Sequence, residues 1–189
     1  AAADELERCV RDLGFPGVMI NGHTNGQYLD HPSLAPFWER AEALGAIVYI
    51  HPTDPVTPAP VLDGHKGLRR ATWEWGFETG SHALRLVFSG LFDRYPKAKV
   101  ALGHMGETLP YLLWRFDSRA KLYNVNLARP PSQYIKDNIV VTVSGAAESP
   151  RGVSGRPTPA SATTTATAAA RATRSGSVGL MPFLRRCMV

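Results

Sequence analysis

Cysteine is scarce in this chain: Cys9 and Cys187 are the only two in 189 residues, they lie at opposite ends, and they lack metal-knuckle spacing. That argues against a disulfide framework and against a cysteine-based zinc knuckle, and it makes a cytoplasmic setting the default expectation. Long hydrophobic runs are missing as well. Apolar residues make up 44% of the chain, yet no run approaches the length of a membrane span and no secretory leader is legible, so no membrane partner is expected. Acidic residues are nearly absent from one part only. Residues 146–189 hold six Arg, no Lys and a single acid, Glu148, which accounts for the whole net charge of +5, while residues 1–145 carry 15 basic and 15 acidic side chains. The tail arginines are scattered and Phe183 is the sole aromatic residue among them. With no stacking platform and no recognition motif, no nucleic-acid partner is expected either.

Residues 1–145 alternate regularly between two periodicities. Asp4 to Leu13 reads as a helix, Gly17 to Asn21 as a strand, and about Ser33 to Leu44 as a helix with Ser33 at its N-cap. Ala46 to Ile50 is a second strand, ended by His51-Pro52 and a Pro-rich loop to Pro60. Thr72 to Phe92 has the apolar spacing of one long helix or two short ones. Ala98 to Leu102 is a third strand, Thr108 to Leu122 a further helix, and Ile139 to Val143 a fourth strand after a polar connection. This alternation predicts an α/β architecture with parallel strands, an open sheet or part of a barrel. From Ala146 onward the sequence turns to Ala, Thr, Ser, Arg, Pro and Gly without an apolar period. The expected organisation is thus a domain over 1–145 and a low-complexity tail over 146–189, either disordered or the product of a shifted reading frame. Together with the non-methionine start, the break suggests a fragment.

The chemistry-bearing residues gather at strand ends. Leu102-Gly103-His104-Met105-Gly106-Glu107 places a histidine after an apolar run and a glutamate three residues later. His51 has the same setting after the second strand. In a parallel sheet all carboxyl ends share one face, so His51 and His104 can approach although 53 residues separate them. Imidazole serves both as metal ligand and as proton shuttle near neutral pH. A plainer role stands beside each: His51 bonded to a backbone carbonyl, Glu107 as a favourable acid in a helix's first turn. His23, just past the first strand, is a pocket candidate, and His82 reads as a satisfied core residue. Trp73, Trp75, Phe77 and Trp114 read as packing groups before pocket wall.

Several blocks in order carry a family resemblance: Phe15 to Gly22, Pro36-Phe37-Trp38-Glu39, Tyr49-Ile50-His51-Pro52, His82 to Leu86 with Ser89 to Asp93, and Leu102 to Glu107 with Leu109-Pro110-Tyr111, Trp114-Arg115 and Asp117. Over roughly residues 13–145 the chain resembles the metal-dependent aromatic-acid decarboxylases of the amidohydrolase superfamily, a group that includes γ-resorcylate, dihydroxybenzoate and carboxyvanillate decarboxylases. The resemblance implies a distorted, partial (β/α)8 TIM-like barrel holding one divalent ion, zinc or manganese, at the strand carboxyl ends. It implies that His51 is a metal ligand, that His104 handles the proton with Glu107 as its partner, and that Arg115 binds substrate carboxylate. The family's first-strand ligand pair and final aspartate have no counterpart in this sequence, and one imidazole is a weak site for zinc. The implied reaction is non-oxidative decarboxylation of a hydroxylated aromatic carboxylate, by a homo-oligomer of two or four chains. A metal-dependent hydrolase on the same barrel and a non-catalytic remnant are the alternatives.

Overall fold

The computed structural model describes residues 1–142. The expected boundary at Gly145 and the tail over 146–189 lie outside the described residues. Within them, four strands, β1 (Gly17–Asn21), β2 (Ile47–His51), β3 (Lys99–Leu102) and β4 (Ile139–Val141), form one parallel sheet in the order β1-β2-β3-β4. Its helices are α1 (Ala2–Arg11), α2 (Ala35–Leu44), α3 (Glu74–Phe88), α4 (Leu91–Arg94), α5 (Leu113–Leu122) and α6 (Pro131–Asn138). Parallel neighbours that are consecutive in the chain each need a crossover, and α2, α3 with α4, and α5 with α6 supply them. A strand order without reversal is an arc of a barrel rather than a doubly wound sheet.

Side-chain alternation divides the sheet into two unlike faces. Val18, Ile20, Val48, Ile50, Val100 and Leu102 are buried against the helices, where Leu6, Trp38, Leu86, Phe92 and Tyr134 complete the core. The other face carries Met19 opposite Tyr49 and Asn21 opposite His51, all of them at least partly accessible. That second face is the one a barrel turns inward. The first two strands approach closely at their start: a Cβ on Gly17 would sit 1.9 Å from the Ile47 carbonyl oxygen. Only glycine fits there.

The structure corrects several local expectations. The helix before β2 starts at Ala35 without a side-chain cap, after a 3-10 turn over Pro32–Leu34 that is itself capped by His31, whose Nδ1 accepts from the Ser33 N–H at 3.3 Å. Thr108 to Leu122 is not one helix. Pro110 sits in a 3-10 turn over Leu109–Tyr111, and α5 begins only at Leu113. The connection before β4 contains α6, which begins at Pro131, where a proline's missing N–H is no loss. Cys9 is fully buried in α1, and Cys187 lies outside the described residues. No described helix is long and apolar enough to cross a membrane.

Asn138, fully buried at the end of α6, fastens the sheet to its approach loop. Its Nδ2 donates to the carbonyls of Pro96 (2.9 Å) and Ala98 (3.0 Å), the segment that leads into β3. Asn138→Ala strips two carbonyls of their donor, one of them in a fully buried bond, and should lower stability by about 1–3 kcal/mol. Urea denaturation followed by circular dichroism checks this; an unchanged midpoint would show that the bonds are replaced by water.

Candidate active site

The register fixes where the strand-end histidines lie. Asn21 stands opposite His51, and Ile50 opposite Leu102, so one more step along each strand aligns His51 with Gly103, the residue before His104. The two histidines therefore emerge from neighbouring strands at the carboxyl end of the sheet. Nδ1 of His51 donates to the Pro52 carbonyl at 2.9 Å. A carbonyl only accepts, so the proton of the neutral ring sits on Nδ1 and Nε2 keeps its lone pair. The plain role and the ligand role are thus compatible: one nitrogen is spent on orientation and the other presents a donor atom.

His104 is held by an unusual backbone. His104, Met105, Gly106 and Glu107 all have positive φ, at 48°, 58°, 77° and 56°. Three non-glycine residues among four consecutive ones in this region are costly, of the order of 1–3 kcal/mol each. The turn is tied down from the neighbouring strand, since Met105 N–H donates to Thr142 O (2.8 Å) and Thr142 N–H to Leu102 O (2.9 Å). Gly106 must be glycine, because a Cβ there would fall 2.5 Å from Val141 Cγ1. The turn folds Glu107 back onto its histidine, and His104 Nδ1 lies 2.8 Å from Glu107 Oε1. Glu107 is only 9% exposed in its side chain and His104 44%. A carboxylate withdrawn from water thereby orients an imidazole that still meets solvent. Glu107 does not belong to the first turn of a helix, which removes the plainer role proposed for it.

Two loops and helix α3 close around this end. His23 accepts from Gly26 N–H at Nδ1 (3.2 Å), within the loop after β1, and reaches Asp54 O through Nε2 (3.3 Å), which joins that loop to the loop after β2. Asp54 in turn accepts from Trp75 Nε1 at 2.6 Å, which brings in α3. Arg115 stands exposed on α5, and its guanidinium makes no ion pair among the described residues. Trp73, Phe77 and Trp114 are 54%, 60% and 78% exposed, which corrects the expectation that they pack. The inward stripe of α3 is taken by Glu78, His82, Ala83 and Leu86 instead, and these aromatics fall outside it.

A second polar cluster was not anticipated from sequence. The Tyr28 hydroxyl donates to the buried Glu78 carboxylate, Arg85 binds Asp30 through two bonds of 2.9 Å and lies over the Tyr28 ring at 4.7 Å, and Leu29 N–H donates to His82 Nε2 at 3.0 Å. Glu78 and His82 one helical turn apart in an apolar context were the available signal; Tyr28, in a loop, offered none. Burial pushes the Tyr28 hydroxyl up to about 12 and the His82 imidazole down to about 4. The core expectation for His82 holds, but only one of its nitrogens is satisfied: Nδ1 has no partner among the described residues.

The described residues contain no group of three or more His, Cys, Asp or Glu side chains able to hold a metal ion. With no such group around His51, a tightly bound divalent ion does not fit the described residues alone.

A one-directional parallel arc, with imidazoles at its carboxyl ends and helices on its outer face, defines a segment of a (β/α) barrel. The chain belongs to the amidohydrolase family, whose match extends over residues 1–173. It is 44% identical over 155 residues to γ-resorcylate decarboxylase of Polaromonas sp., covering 76% of this chain and 48% of that protein. Among solved structures it is similar to 5-carboxyvanillate decarboxylase from Sphingomonas paucimobilis, at 40% identity and a TM-score of 0.70, covering 76% of this chain and 44% of the other. It is also similar to a dihydroxybenzoic acid decarboxylase from Polaromonas sp. with bound manganese and the inhibitor 2-nitroresorcinol, at 43% identity and a TM-score of 0.67, covering 76% and 46%. The chain spans about half the length of the curated relatives it matches.

The buried neutral His82 predicts a pH effect of definite sign. Its folded value lies below its ordinary 6.5, so the unfolded chain takes up a proton first as pH falls. Stability is unpenalised above pH about 6.5 and declines through the window down to about 4, by roughly 3 kcal/mol if the full depression is expressed. His82→Gln, which can still accept from Leu29 N–H, should show a smaller fall in urea midpoint between neutral and mildly acid buffer. Equal falls in the two proteins would remove His82 as the cause.

Proposed function

We propose that this chain is the strand-end half of a carboxy-lyase that removes carbon dioxide from a hydroxylated aromatic carboxylate. The observation that carries the reading is the His104–Glu107 pair beside His51 at the carboxyl end of the sheet, in a chain 44% identical to a γ-resorcylate decarboxylase. Loss of carbon dioxide from an electron-rich ring requires protonation of the carbon that bears the carboxylate. The imidazole of His104 is the acid we assign to that step. Glu107 bonds Nδ1 and holds the ring in place, and the hydrogen-bonded carboxylate offsets the positive charge of the protonated ring. Arg115 is assigned to the substrate carboxylate and His23 to the wall of the pocket.

A divalent ion belongs to the reading for the whole protein, with manganese favoured over zinc by the relatives' crystal structures. When bound, such an ion supplies an anchor for carboxylate and phenolate oxygens. We assign His51 Nε2 of this chain to it, and the described residues offer no group of three or more candidate ligands. That shortfall favours a second statement about the polypeptide as it stands: by itself it is a non-catalytic segment. A homo-oligomer of two or four chains and a cytoplasmic setting complete the reading.

Two measurements test this. Titrated with manganese, the isolated chain should take up far less than one ion per molecule, and stoichiometric tight uptake would contradict this account. A protein extended to the relatives' length should release carbon dioxide from hydroxybenzoates, and His104→Ala in it should lower kcat by about 10²–10⁴-fold. Cleavage of a lactone or amide without carbon dioxide release would replace the decarboxylase reading with the hydrolase one.

A further inference from the structure

Glu107 cannot choose its own position: its side chain lies in a confined space between the turn that carries it and helix α3, and α3 is glycine where they meet. A Cβ built on Gly76 would stand 2.8 Å from Glu107 Oε2 and 3.7 Å from Glu107 Cδ. One helical turn further, a Cβ on Gly80 would stand 3.7 Å from Glu107 Cβ and 3.9 Å from Leu109 Cδ2, which is ordinary contact. The two glycines therefore differ in kind. Gly80 has room for a methyl group, whereas Gly76 has none unless the carboxylate moves. Of the two carboxylate oxygens, Oε1 is bonded to His104 and Oε2 faces the missing side chain of Gly76.

Neither glycine has a positive φ, so backbone conformation gives no reason for their presence in α3, where Gly76 stands in the first turn and Gly80 lies further inside. Glycine inside a helix costs up to about 1 kcal/mol relative to alanine, and at neither position does it gain helix stability. Something other than helix stability accounts for Gly76, and the space it leaves is filled by one oxygen atom of Glu107.

We propose that Gly76 is a positioning residue for the acid pair: its missing side chain is the seat that lets the Glu107 carboxylate reach His104 Nδ1 and sets the ring's tautomer and orientation. This rests on the reading of His104 and Glu107 given above and adds a residue on another element. The atom that an added methyl group would strike is the far end of a flexible side chain, so the carboxylate swings away at little cost to the fold. The dyad, not the fold, is what Gly76 protects.

The test compares Gly76→Ala, Gly80→Ala and Glu107→Ala in the chain as it stands, with the imidazole nitrogen resonances of His104 followed by NMR and thermal unfolding followed by circular dichroism. Gly76→Ala should move the His104 signals toward those of Glu107→Ala while melting no lower than the parent. Gly80→Ala should leave the His104 signals at their parental positions. If Gly76→Ala leaves His104 unmoved while Glu107→Ala displaces it, the seat is disproved and the acid pair survives. If Glu107→Ala itself leaves His104 unmoved, the acid pair falls and the seat falls with it. A drop in melting temperature for Gly76→Ala beyond that of Gly80→Ala would make Gly76 a packing glycine and overturn the proposal.

Discussion

The parallel register between β2 and β3 is the constraint on which the rest of the structure depends. With Ile50 opposite Leu102, the apolar side chains of both strands face the same helices, and the next residue of β2 falls beside the residue that precedes His104. A slip of one residue would turn Val48 and Ile50 away from the core and His51 into it. Burial of the outer face and convergence of the polar strand ends are thus the same fact seen from two sides. Gly17 serves this pairing at one end of β1 and β2, and Asn138 fastens the loop ahead of β3.

The two histidines show how a backbone partner can prepare a side chain for chemistry. His51 gives its Nδ1 proton to a carbonyl next door, a local solution available to any His-Pro pair in this geometry. His104 instead depends on a turn that no ordinary sequence adopts without support from β4 and from α3. Strain at 104–107 persists because Thr142, Val141 and the glycine face of α3 leave the turn no cheaper alternative.

How much of this was legible beforehand follows from the range of the interactions involved. All four strands and the strand-end places of His51 and His104 could be read from apolar periodicity, because a buried strand announces itself within five residues. The pairing of His104 with Glu107 was also expected, although the conformation that achieves it was not: a His-x-x-Glu spacing suggests a helix, and only the neighbouring strand's hydrogen bonds reveal a left-handed turn. Helix α6 was hidden by its prolines, Pro130 and Pro131, which read as loop although Pro131 stands at the helix start. The cluster of Tyr28, Glu78, His82 and Arg85 was illegible because its members come from a loop and a helix 50 or more residues apart. The exposure of Trp73, Phe77 and Trp114 inverts the usual rule for aromatics, and nothing local predicts which face of a helix the sheet will claim.

The ties among the loops at the carboxyl end have a consequence for how the molecule assembles. His23 meets Asp54 across 31 residues, Trp75 meets Asp54 across 21, and the bonds from residues 28–30 to α3 span 50 to 55. The strand pairings themselves span 30 residues between β1 and β2 and 52 between β2 and β3, so loop closure gives neither set of contacts a head start. Once either has formed, the other closes a loop that is already mostly shut. Mouth and sheet are in that sense one unit, and damage to a distant strand pairing reaches the site as loss of definition rather than as loss of any particular bond.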